Sequence, residues 1–144
     1  MQFFTQPPLD FSLKTPEKTR KWLHQVILTE QLQSSEDISF IFCTDEHLHE
    51  INLDYLQHDT YTDIITFDNS EDESIIEGDL FISIDRIREN AQSFDASFEK
   101  ELHRVMVHGI LHLCGYGDKS TAEAEMMRSK ENHYLKQSYL DIEM

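Results

Sequence analysis

The segment His108-Gly109-Ile110-Leu111-His112-Leu113-Cys114-Gly115-Tyr116-Gly117-Asp118 carries the residues best suited to chemistry. Histidines four apart on a helix lie on one face, one turn above the other. His108 and His112 can therefore aim a ring nitrogen each at one point, at the roughly 2.0–2.1 Å of a Zn–N bond. Gly115 and Gly117 bracket Tyr116 where the helix should end, and glycine permits a left-handed cap and a sharp reversal. That reversal can bring Asp118 back toward the imidazoles as an oxygen ligand. Three protein ligands leave a fourth position for water, which is the catalytic rather than the structural zinc arrangement. Zinc so bound lowers the pKa of its water toward about 7 and polarises a phosphoryl or acyl oxygen. The surroundings add weight, because two unpartnered imidazoles in so apolar a helix would be costly.

The spacing echoes the H-E-x-x-H-x-x-G-x-x-H pattern of zinc proteases. Gly109 stands where those enzymes carry the glutamate that acts as general base, which argues against peptide hydrolysis. The other histidines read differently. His103 falls about 140° around the helix from the metal-facing side, at 100° per residue, and is a poor ligand. His24, His47, His49 and His133 read as solvated helix residues.

These groups need an ordered domain to position them. The chain has 144 residues and 17.0 kDa, the size of a single domain spanning 1–144, which needs no metal or disulfide merely to fold. Its hydrophobic content of 39% is that of a globular protein, and no apolar run is long enough to span a bilayer. Lys plus Arg is 12 against 28 Asp plus Glu, a net charge of −16. That balance opposes nonspecific binding to nucleic acid or anionic lipid, so no DNA or membrane partner is expected. Cys43 and Cys114 lie in apolar contexts without a Cys-x-x-Cys, and MQFFTQPPLDF does not read as a signal peptide. Reduced thiols in a cytoplasm follow.

Thr15-Pro16-Glu17 reads as a helix start, with Thr15 as N-cap and Trp22, Leu23, Val26, Ile27 and Glu30 continuing at helical spacing. Residues 37–43 (DISFIFC) read as a buried strand and Thr44 as the start of a second helix. Residues 64–67 and 79–84 read as strands, plausibly antiparallel across an acidic loop at 68–77. Helices follow at 85–93, at 98–114 behind Ser97, and from Ser120 to about Tyr139. Ser120-x-x-Glu123 is a capping box. The order β/α/β/α/β/β/α/α/α suits an α/β fold of the α+β type: a small mixed sheet of about four strands with about five helices packed against it.

The metal segment resembles the H-G-x-L-H-L-x-G-Y-D-H signature of the YbeY family. His108, Gly109, Leu111, His112, Leu113, Gly115 and Tyr116 match directly. Ile51-Asn52, Tyr55, Asp59 and Thr62-Asp63-Ile64-Ile65-Thr66-Phe67 are similar to that family's L-N-x-x-Y-R-x-x-D-x-P-T-D-V-L-S-F block. Gly78-Asp79-Leu80-Phe81-Ile82 is similar to its G-D-I-x-I strand. The three blocks occur in family order and cover most of 50–118. The resemblance implies a single-strand-specific, zinc-dependent endoribonuclease of bacterial ribosomal RNA maturation and ribosome quality control. It implies one Zn2+ per chain and ribosomal RNA or the small ribosomal subunit as partner.

The chain departs from that pattern at the metal and at the substrate. The family's third histidine falls at Asp118 and its preceding aspartate at Gly117. A carboxylate binds zinc at about 2.0–2.2 Å, so His108, His112 and Asp118 remain the expected ligands, with a more negative charge on the metal. The family arginine thought to meet RNA phosphate falls at Leu56, and its proline at Tyr61. His58 and Arg104 are the candidates to replace that arginine. Two other readings stay open: a metal-dependent hydrolase of another substrate, and a non-catalytic zinc protein of ribosome assembly.

Overall fold

The computed structural model describes residues 1–58 and 60–138. Asp59 and Tyr139, which entered the sequence reading, lie outside the described residues. Nine elements run in the order β1 (Gln2–Thr5), α1 (Pro16–Thr29), β2 (Gln33–Cys43), α2 (Asp45–Leu56), β3 (Ile64–Asp68), β4 (Ile75–Ser83), α3 (Ile84–Ser93), α4 (Phe98–Leu113) and α5 (Thr121–Lys136). The strands form one sheet in the order β1-β2-β4-β3. β1 and β4 both run parallel to β2, and β3 runs antiparallel to β4, with Thr66 opposite Leu80. This is the expected mixed four-stranded sheet with five helices.

Side chains alternate across a strand, and here the alternation feeds two cores. On one face Ile38, Phe40 and Phe42 of β2 and Leu80 and Ile82 of β4 meet Leu23, Ile27, Met106 and Ile110 from α1 and α4. On the other face Cys43, Ile65, Phe67 and Phe81 meet Leu48 and Ile51 of α2. The larger core therefore lies beneath the helix that carries both candidate histidines, and the smaller one beneath α2. No helix among the described residues is long and apolar enough to cross a membrane.

Two boundaries differ from the sequence reading. β4 starts at Ile75 rather than Asp79, so only residues 69–74 remain as a loop. Ile75 and Ile76 pair with Gln33 and Ser34, an early start for β2 as well, and a register shift follows before Ile38. The acidic run hid this strand because one of its Ile side chains faces the core and Glu77 does not. Thr15, read as a side-chain N-cap, lies instead in the left-handed region at φ 49 with no side-chain cap bond. Its hydroxyl donates to the Lys14 carbonyl, while Pro16 alone starts the helix as expected. The caps at Thr44, Ser97 and Ser120 form, the last as a full capping box.

α4 sits close to the sheet because Gly109 has no side chain. A Cβ there would strike Leu80 Cδ2 and come within 2.7 Å of Ile64 Cδ1. The residue that replaces the protease glutamate thus has a packing role: it lets the helix lie against β3 and β4.

Candidate metal centre

α4 ends one residue after His112. Gly115, at φ 107, supplies the left-handed turn, its N–H bonds the His112 carbonyl, and Tyr116 N–H reaches back to Leu111 O. This pair of bonds is the Schellman ending, which turns the chain sharply. Gly117, expected to share that role, does not have positive φ; a Cβ there would collide with the Glu123 carboxylate.

The turn returns Asp118 to the histidines. Its Oδ2 lies 3.5 Å from His108 Nε2 and 3.4 Å from His112 Nε2, and the rings are 4.5 Å apart between centroids. Those separations exceed an ordinary hydrogen bond. The two oxygen–nitrogen separations match the roughly 3.4 Å edge of a tetrahedron whose centre lies about 2.1 Å from each corner, the dimensions of a zinc site. Among the described residues these three form a group that could hold a metal ion.

Each ring is oriented from behind. His108 Nδ1 donates to Glu131 Oε2 at 2.7 Å, and His112 Nδ1 donates to the Tyr116 carbonyl at 2.8 Å. A carbonyl oxygen and an ionised carboxylate only accept, so Nδ1 carries the proton and Nε2 presents its lone pair to the shared point. Glu131 is 2% exposed, and burial alone would push its carboxyl up. The hydrogen bonds from His108 and Arg104, with the Arg104 charge, more than offset that and hold it below the usual range. Arg104 bonds Glu131 at 3.1 Å and also grips the buried Glu101. It is therefore committed behind the site, and does not stand in for the absent family arginine.

In front of the three residues opens a cleft of about 630 Å3. Its far wall comes from the end of α2 and the approach to β3: Leu56, His58, Thr60, Thr62, Asp63 and Thr66. Asn52, 3% exposed, pins that approach by donating to Thr60 O at 2.8 Å. Burial raises the Asp63 carboxyl above its ordinary value, against the pull of the His108 and Arg104 charges. Among the described residues Lys119 is the one Lys or Arg lining the cleft, and His58 is its one histidine besides the two ligand candidates. His103 is buried away from it, against Trp22. His24 bonds Ser34 and His49 stacks on Tyr61, so neither is simply solvated; His133 is exposed, as expected.

Comparison with known proteins settles the family. The sequence profile described as Endoribonuclease YbeY matches residues 8–139. The chain belongs to the endoribonuclease YbeY family. It is 52% identical to the endoribonuclease YbeY of Flavobacterium johnsoniae over 126 residues, 88% of this chain and 89% of that one. The Christiangramia forsetii protein of the same name is 50% identical over 135 residues, 94% of this chain and 92% of its own. The fold matches the solution structure of a Thermotoga maritima protein, at a TM-score of 0.66 and 23% identity, covering 99% of this chain and 92% of that one. The chain is thus a hydrolase that cuts within RNA, as the signature at His108–Asp118 implied.

Glu131 and Lys119 escaped the sequence reading. Glu131 had a signal: it shares one face of α5 with the buried Met127, Tyr134 and Leu135. A lone acid on an apolar stripe needs a buried partner. Lys119 had none, being one more charged residue in a turn.

Proposed function

We propose that His108, His112 and Asp118 hold one zinc ion and that the cleft in front of them is where this endoribonuclease cuts single-stranded RNA. The observation that carries the reading is one carboxylate oxygen at tetrahedral-edge distance from each of two Nε2 atoms, with all three atoms within 4.8 Å of one another and both Nδ1 protons taken up behind. Zinc held there supplies Lewis-acid polarisation of a phosphoryl oxygen and a water acidic enough to attack near neutral pH.

The protein's share of the work is placement. Glu131 and the Tyr116 carbonyl fix the imidazoles, so no reorganisation is needed as charge develops. Lys119, next in sequence to Asp118, meets a phosphate beside the reacting one, and His58 meets the strand from the opposite wall. With −16 net charge, Lys119 and the metal must supply most of the electrostatic attraction for RNA, with His58 a hydrogen-bonding group. Family membership supports ribosomal RNA or the small ribosomal subunit as the partner, the cytoplasm as the compartment and a single domain over 1–144, of which the family profile matches 8–139.

The test is cleavage of a single-stranded RNA by the parent chain, by the parent with chelator, and by Asp118→Ala. We expect activity in the parent alone, restored after chelation by added zinc. Equal cleavage in all three would refute the metal reading.

A further inference from the structure

Both groups that back the histidines trace to one residue outside the signature. Glu30 follows the last residue of α1, and its side chain is 9% exposed. Its Oε1 accepts the Tyr116 hydroxyl at 2.6 Å. Its Oε2 accepts Lys130 Nζ at 3.1 Å and the Tyr134 hydroxyl as well. Lys130 also lies 5.3 Å from the centre of the Tyr116 ring. Both carboxylate oxygens are thus satisfied, as a buried charge requires.

The partners of Glu30 are the two carriers of the metal site's support. Tyr116 offers its carbonyl to His112 Nδ1 and stands two residues before Asp118. Lys130 and Tyr134 flank Glu131 on α5, and Glu131 takes the proton of His108. α5 is further tied to α1 by Trp22 Nε1, which donates to Tyr134 O at 3.1 Å. The bond from Tyr116 N–H to Leu111 O fixes the Tyr116 backbone locally, and its hydroxyl on Glu30 ties the turn to the end of α1 and to α5.

We propose that Glu30 is a positioning residue for the metal centre, clamping the Gly115–Asp118 turn and α5 together so that all three ligands converge. It touches neither metal nor substrate. It acts through the Tyr116 carbonyl on one side and through the placement of Glu131 on the other. This rests on the ligand assignment above. Groups that orient zinc ligands typically change metal affinity about 10- to 100-fold when removed. Glu30, one step further out, belongs at the lower end of that range.

The experiment measures zinc affinity of the full chain by competition with a chromophoric chelator at pH 7.5, with thermal unfolding of the metal-free chains measured separately. Variants are Glu30→Ala, Glu30→Gln, Tyr116→Phe and, as reference, His108→Ala. Glu30→Ala should weaken zinc binding about tenfold. Tyr116→Phe should weaken it by a smaller factor, and Glu30→Gln should recover part of the loss, because its amide oxygen still accepts the Tyr116 hydroxyl while its NH2 cannot accept from Lys130 or Tyr134. Should Glu30→Ala not fold, Tyr116→Phe, which removes one oxygen, carries the test. Zinc affinity within twofold of the parent in both Glu30→Ala and Tyr116→Phe, or in Tyr116→Phe alone if Glu30→Ala does not fold, would overturn the proposal whatever the change in unfolding temperature. Failure of the ligand assignment looks different: the parent then binds no better than His108→Ala.

Discussion

One wall of the cleft is α4, the turn after it and α5; the other is the end of α2 and the approach to β3. On the first, each histidine has a second group behind it and Glu131 has an arginine behind that. On the second, Leu56 and His58 are exposed, and the strand approach is held by Asn52 on Thr60, His49 against Tyr61 and Ser83 N–H on the Asp63 carbonyl, none of which reaches the cleft face of His58 or Leu56. The contrast separates two tasks. Metal ligands must converge within a few tenths of an ångström, so their surroundings are over-determined. A backbone-tracking RNA strand needs only a groove and a few charges, so that wall tolerates change. Leu56 and Tyr61, where the sequence departs from its family's arginine and proline, both lie on the tolerant wall.

Removing Glu131 should break the metal wall most severely. Glu131→Ala removes the acceptor of His108 and one of the two carboxylates that hold Arg104, Glu101 remaining, and losing a buried hydrogen bond to a charged group costs about 1.5–3 kcal/mol. Urea unfolding of the metal-free chain measures the loss, and zinc affinity should fall with it. A change under about 1 kcal/mol would show the wall is not over-determined. Gly109→Ala should cost less. Its methyl group must displace Leu80 and Ile64, overpacking worth about 1–3 kcal/mol, and the shift of α4 should lower zinc affinity too.

A pH effect belongs to the same helix, away from the cleft. Burial holds His103 below its ordinary 6.5, and its Nδ1 donates to Glu99 O at 2.8 Å. Its unfolded form therefore takes up a proton more readily than the folded one. The stability it contributes is complete above 6.5 and is lost as pH falls through the lowered folded value. With chelator present, the parent's unfolding temperature should drop more between pH 7 and pH 5 than that of His103→Phe. Parallel curves would contradict the assignment.

The smallest effect should come from the tolerant wall. Leu56→Arg restores the family cation, and a guanidinium can grip phosphate bidentately. RNA binding and cleavage should both rise, with stability unchanged because Leu56 is 44% exposed. The parent's salt dependence should correspond to only about two to four phosphate contacts, and the variant should add about one. Loss of activity in Leu56→Arg would mean that this wall is tightly specified after all.

The same division decides what could be read from sequence. The histidine pair, Asp118, Gly115 and the caps at Ser97 and Ser120 are local patterns, set by helix period and chain reversal. They were legible, as was the mixed sheet. Glu30 on Tyr116, 86 residues away, and Glu131 on Arg104, 27 away, are long-range pairings of charged residues. Helical periodicity places Glu131 on the apolar face of α5, but it does not say which partner meets that acid, and it does not single out Glu30 among the 28 acids. β4 was read short because Glu77 interrupts its apolar pattern. Thr15 misled because its capping type does not dictate its backbone conformation.

The central claim is the identity of the ligands, and X-ray absorption at the zinc edge tests it most directly. The zinc-loaded parent should show two imidazoles at about 2.0–2.1 Å and oxygen at about 2.0–2.2 Å. In Asp118→His a third imidazole should replace one oxygen, with zinc retained at one per chain. A sulfur shell near 2.3 Å, the mark of a thiolate such as Cys114, or two imidazoles unchanged in Asp118→His, would contradict the account.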